Sequence, residues 1–372
     1  MRSPFSELQP PVRRRQAETH LFTMLVCFGL SVALTRLFLE LSGYPQIGNA
    51  ELHIAHVLWG GLLQFVALMV LLMFANPWVY PLGAILGGVG IGLFIDEVGK
   101  FITQSNDYFY PWAAPIIYAF FLLTVMVYLR FSRQQQRDPR TEMYHALHLL
   151  IEVLDHDLDP DERVGLVGHL QAAGEDTTHS DLKVLSQSLL KFVQREDLHL
   201  APEKPDFWQR WEKRWDEFEE RILGQKRFQW LLILGMAVLA VVALLELGIV
   251  IRGRFSPEIL TGPLTNLVLG GQVKGLPGVR WFTVFVSLNG SIGLLLVAAI
   301  VLSLLGRQKN GLSYGYFGLL LQLTAANLLA FYFNQFSTII LAVVQLVLLV
   351  GILRYRQRYL VDAQAASTGQ ET

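Results

Sequence analysis

Apolar residues in this chain run in long unbroken stretches, not in the alternating or three-to-four-spaced stripes of a water-soluble fold. Eight stretches stand out, at roughly 20–42, 51–75, 78–103, 111–130, 228–251, 281–305, 313–332 and 335–354. Each approaches the ~20 residues that an α-helix needs to cross a bilayer core. The pattern predicts an all-α protein, a polytopic transmembrane bundle of about eight spans with a helical insert. The expected organisation is an N-terminal tail over 1–19, a four-span half over 20–130, an insert over 131–226, a second four-span half over 227–356 and a tail over 357–372.

The insert breaks the apolar pattern. Met143, Leu147, Leu150, Ile151 and Leu154 recur at helical spacing. Asp159-Pro160-Asp161-Glu162 reads as a helix start, with Asp as cap, Pro at the first position and acids in the first turn. A calcium loop over DHDLDPDERVGL is excluded, because Pro160 replaces the required glycine and Leu166 the bidentate glutamate. Further helices are expected over Ser180–Gln194 and Phe207–Gly224, the latter with a stripe of Trp208, Trp211, Trp215 and Phe218. No kinase, nucleotide or DNA-binding motif is recognisable here, so a signalling role for the insert implies a protein partner.

Composition sharpens the membrane reading: 52% of the 372 residues are hydrophobic and only 16% charged. The net charge of −1 gives no bias toward nucleic acid, and none is expected as a partner. The lone cysteine, Cys27, excludes an intramolecular disulfide and a CxxC metal site. Basic residues gather at span ends: Arg13–Arg15, then Arg130, Arg133, Arg137 and Arg140, then Lys226 and Arg227, then Arg307 and Lys309, then Arg354, Arg356 and Arg358. With eight spans all of these face one side, which the positive-inside rule makes cytoplasmic, along with both termini. The general look is that of a bacterial inner-membrane protein. The two halves read as a parallel tandem repeat, with Tyr108 to Arg130 aligning on Tyr332 to Arg354 without gaps.

Ionisable residues inside spans are costly and mark candidate sites. Asp96, Glu97 and Lys100 stand at the far end of the third stretch, roughly 27 Å beyond Trp78, and Lys100 can meet either acid at i,i+4 or i,i+3. The second stretch opens with Glu51, His53 and His56, and the first closes with Arg36 and Glu40. Asp107 follows in the next loop. All converge on one layer, the external one in the expected topology. His53 and His56 with a carboxylate suit a divalent metal such as zinc. Asp96, Glu97 and Lys100 would then supply general-base and charge-stabilising roles in a membrane hydrolase. Glu51, Arg36, Glu40 and Asp107 would line the pocket for a small polar or lipid-headgroup ligand. The competing readings are structural ion pairs at a headgroup layer, proton- or ion-coupled transport through Asp96 or Glu97, and a sensor acting through the insert. The plain inner halves of the spans, such as Leu82 to Ile95, weigh against transport. GGVGIG lies mid-span and is no phosphate loop; its glycines suit close helix packing.

Overall fold

The computed structural model describes residues 11–43, 55–132, 138–175, 180–202, 224–255, 268, 273 and 275–361. Every regular element among them is helical. The spanning helices of the first half are α1 (Ala17–Ser42), α2 (His56–Met73), α3 (Val79–Asp96) and α5 (Ala113–Phe131), with a short α4 (Val98–Ile102) between the last two. The insert supplies α6 (Pro139–Leu154), α7 (Pro160–Gly174) and α8 (Ser180–Val193). The second half has α9 (Gln225–Phe255), α10 (Gly275–Leu304), α11 (Gln308–Leu321), α12 (Asn327–Asn334) and α13 (Thr338–Arg356). A π-helical turn, Gln322–Ala326, joins α11 to α12 as one span. Among the described residues, eight helices are long and apolar enough to cross a membrane. Their outward faces carry large apolar side chains such as Leu34, Leu41, Leu72 and Ile340, which suits contact with lipid.

One expected span is shorter than the hydropathy pattern suggests. The third ends at Asp96; Glu97 leaves helical geometry and α4 follows before Thr103 turns extended. The loop after α4 folds back onto it. Thr103 Oγ1 donates to the Gly99 carbonyl and accepts from the Asp107 amide, and a Cβ on Gly99 would lie 2.8 Å from the Asp107 carbonyl. The expected helix over 207–224 and the aromatic stripe within it lie outside the described residues.

The chain divides into two compact units. The first comprises 1–31, 58–93 and 124–212. In it the glycines of α3 bring backbones together. A Cβ on Gly88 would fall on the Met24 carbonyl, one on Gly92 within 2.9 Å of the Phe28 carbonyl, and one on Gly90 within 2.8 Å of the Gly60 carbonyl. Ser31 Oγ donates to the Val89 carbonyl across this contact at 3.0 Å. The insert has its own core of Met143, Ala146 and Leu149 from α6 against Leu166, Leu170 and Ala173 from α7. Leu147 and Leu154 of the sequence stripe face outward instead, because the buried line follows the small Ala146 where α7 approaches. Asp159 and Glu162 form a reciprocal capping box at the start of α7, as the Asp-Pro-Asp-Glu signal requires.

The second unit comprises 32–57, 94–123 and 213–372. Its core packs Leu232, Met236 and Leu239 of α9 against Leu296 and Ala299 of α10, Leu319 of α11, and Ile352 and Tyr355 of α13. A smaller cluster holds Tyr118 of α5 against Phe331 of α12.

Candidate functional site

The second unit gathers a chain of ion pairs from the last turns of α1, the first residue of α2, the α3–α4 junction and the loop behind it. Arg36 Nε donates to Asp96 Oδ1 at 2.5 Å, and Arg36 Nη2 to the Asp96 carbonyl at 2.8 Å. His56 lies between both acids, Nε2 at 3.1 Å from Asp96 Oδ2 and Nδ1 at 3.2 Å from Glu97 Oε1. Lys100 Nζ meets Glu97 Oε1 at 3.1 Å. Tyr108 donates its hydroxyl to Asp96 Oδ2 at 2.6 Å. Asp96 thus accepts from three side chains and is wholly buried, as a buried carboxylate requires.

Aromatic rings close the site. The Arg36 guanidinium lies 3.9 Å from the Tyr108 ring centre and 3.7 Å from that of Phe336. A planar cation between two ring faces gains from both. Burial first, and then the Asp96 charge, push the Tyr108 phenol above its ordinary value, so it serves as a neutral donor. Arg36 Nη1 is buried with no hydrogen-bond partner. The side chains of His56 and Lys100 keep 21% and 25% of their surface open, whereas Asp96 and Glu97 are sealed. The accessible edge of the cluster therefore presents the His56 ring and the Lys100 ammonium.

Of the residues singled out in the sequence, the structure unites Arg36, His56, Asp96, Glu97 and Lys100. Arg36 pairs with Asp96 across helices, not with Glu40, which is exposed on α1. Asp107 caps its own loop by accepting from the Phe109 amide at 2.9 Å. Glu51 and His53 lie outside the described residues. His56 is the member of the expected metal pair that lies among the described residues. Both ring nitrogens face carboxylates, and an incoming cation would sit beside the guanidinium of Arg36 and the ammonium of Lys100.

A second polar line runs inside the second-half spans. Asn289 Nδ2 donates to Glu246 Oε2 at 2.8 Å, and Gln322 Nε2 to Asn289 Oδ1 at 3.2 Å. Gln322 opens the π turn, and Tyr118 donates to the Leu323 carbonyl within it at 2.5 Å. Asn327 donates to Gln345 Oε1 at 2.7 Å. Asn289, Gln322, Gln345 and Tyr118 are not among the residues that the sequence singles out. Amides and phenols scattered in apolar runs carry no charge signal, and only their position opposite one another reveals them.

Fold and site together define a class: an all-α, multi-pass integral membrane protein with a buried ionic cluster at the end of its first-half spans. Comparison with protein-family models, curated proteins and solved structures finds no match.

Proposed function

We propose that the Arg36–Asp96–His56–Glu97–Lys100 cluster is a one-sided binding site for a phosphate-type anion at the outer leaflet, with a lipid headgroup as its occupant. The carrying observation is the arrangement of charge: acids sealed inside, His56 and Lys100 at the open edge. His56 bridges the two carboxylates through its two ring nitrogens, and Lys100 meets Glu97 beside it. The Lys100 ammonium and the His56 ring are the groups that a ligand arriving at this edge would meet. Exposed Phe101 and Ile102 flank Lys100 on α4, which suits an acyl chain beside the headgroup. In this reading Asp96 and Glu97 hold the basic side chains in place, Asp96 through both carboxylate oxygens and Glu97 through Oε1. The outer location rests on the basic residues at the other span ends, and the same rule supports cytoplasmic termini in a bacterial inner membrane.

Native mass spectrometry of the detergent-purified protein tests the reading. Short-chain phosphatidylglycerol is expected to bind wild type and to be lost in Lys100→Gln and His56→Gln. Binding of inorganic phosphate but not the lipid would name a free anion as the ligand and overturn the headgroup assignment. Equal lipid retention by all three proteins would overturn the site.

One observation favours a second reading, proton-coupled transport. Glu246 lies about 10 Å inside the end of its span and is linked through Asn289 to the π turn at Gln322. Intramembrane carboxyls of this kind mark proton and ion pathways, and π turns recur at functional sites. In proteoliposomes this reading expects proton uptake that Glu246→Gln abolishes; uptake unchanged in the variant would remove it.

A further inference from the structure

The insert holds a set of side chains with no part in the site above. Glu142 and His145, spaced i,i+3, project from one side of α6, and His169 faces them from α7. Each of the three offers a ligand atom, and these atoms lie within 4.8 Å of one another. The Glu-x-x-His spacing on one helix, completed from a neighbouring helix, is how helical bundles build carboxylate–histidine metal centres. Two histidines and one glutamate also form the donor set of open zinc sites, with a fourth position left for water.

A second observation points the same way. His145 Nε2 lies 3.0 Å from the backbone carbonyl of Arg13. A carbonyl can only accept, so this contact requires a proton on Nε2, and in the neutral ring it is then Nδ1 that is left to bind a metal. Metal-binding histidines are oriented in this manner, the far N–H donated to a carbonyl or carboxylate. His169 Nδ1 meets Glu142 Oε2 at 2.6 Å, and the two imidazoles stand edge to face with centres 5.4 Å apart. The helices beneath are fixed. Asp138 caps α6 with Pro139 in its first turn, and the capping box fixes the start of α7. Met143 and Ala146, interleaved with the ligand positions on α6, pack against Leu166 and Leu170 of α7. The set is thus held by a packed helix pair, as a preformed site requires.

We propose that Glu142, His145 and His169 bind a divalent transition ion of the zinc class, with water as the remaining ligand. Borderline nitrogen donors with one carboxylate select zinc, cobalt or nickel over calcium or magnesium. Because the Arg13 carbonyl orients His145, the ion would join the segment ahead of α1 to the α6–α7 pair.

The test is metal titration of the full-length protein in detergent, freed of any histidine tag, with Zn2+ and with Co2+ as a spectroscopic probe. Wild type is expected to bind one ion per chain, with cobalt showing the visible bands of a four- or five-coordinate nitrogen–oxygen site. His169→Ala and Glu142→Gln should each weaken binding by more than the ~10–100-fold seen when only an outer partner is disturbed. Glu142→Gln preserves side-chain shape, and circular dichroism matching wild type would show that the loss is not unfolding. His56→Gln should bind like wild type. No stoichiometric ion in wild type, or equal binding by wild type and both insert variants, would overturn the proposal. Loss in His56→Gln alone would place the ion at the span-end cluster and overturn it as well.

Discussion

Arg36 and Asp96 are both sealed from water and bound through two hydrogen bonds, so neutralising one leaves the other as an uncompensated buried charge. Arg36→Leu and Asp96→Leu alone are expected to cost ~3–5 kcal/mol each, and the double variant less than their sum. Unfolding curves in detergent for the four proteins close that cycle; strict additivity would show that the pair is not coupled. In the insert, burial first and then the charges of Arg14 and Arg15 hold the His148 imidazole below its ordinary value of 6.5. A group whose folded pKa is depressed takes up more protons when unfolded, so its stabilising contribution is present above 6.5 and lost as pH falls through the folded value. Stability should therefore decline on acidification below neutrality, and His148→Gln should flatten that decline in a melting-temperature series against pH. At this scale the sequence exposed Asp96, Glu97, Lys100 and His56, because charges amid apolar runs are rare and costly. It offered Arg36 a local partner in Glu40, since helical spacing is visible in a sequence and an interhelical approach is not. Phe336, distant in the chain from Arg36, gave no signal at all.

Glycine placement decides how closely the first-half helices pack. Gly88 and Gly92 of α3 meet α1 backbone, whereas a Cβ on Gly87 would meet nothing within 4 Å. Gly88→Ala and Gly92→Ala are expected to destabilise by about 1–3 kcal/mol through overpacking, with Gly87→Ala near neutral. Melting temperatures of the three variants check this, and equal losses would show that the contact is not tight. The sequence marked these glycines as packing residues without saying which faced α1. The spans themselves were legible because an unbroken apolar run admits few structures in lipid other than a helix. Their ends were less so: α3 stops at Asp96 because the chain there turns to present Glu97 to His56 and Lys100, and hydropathy does not register such a turn. The α6 stripe predicts the helix, and its Met143 and Leu150 join the insert core. Leu147 and Leu154 point out while Ala146 and Leu149 point in, because burial follows the partner helix more than side-chain hydrophobicity.

At the scale of the whole chain, the described residues hold eight helices long and apolar enough to cross a membrane and a packed insert core, as a multi-pass protein requires, with polar clusters in the spans and a separate histidine–glutamate set in the insert. The basic residues at the span ends orient the proposed topology, and that orientation gives the ionic cluster its meaning. Among the described residues, Asp96 and Glu97 are sealed, whereas Lys100 and His56 keep part of their surface open. The account therefore stands on that opening being reached from the outer side alone. The direct measurement is thiol labelling of Lys100→Cys in a Cys27→Ser background with a membrane-impermeant maleimide. Labelling in intact cells and protection in sealed inverted vesicles is the predicted result; labelling confined to the inverted vesicles would contradict it.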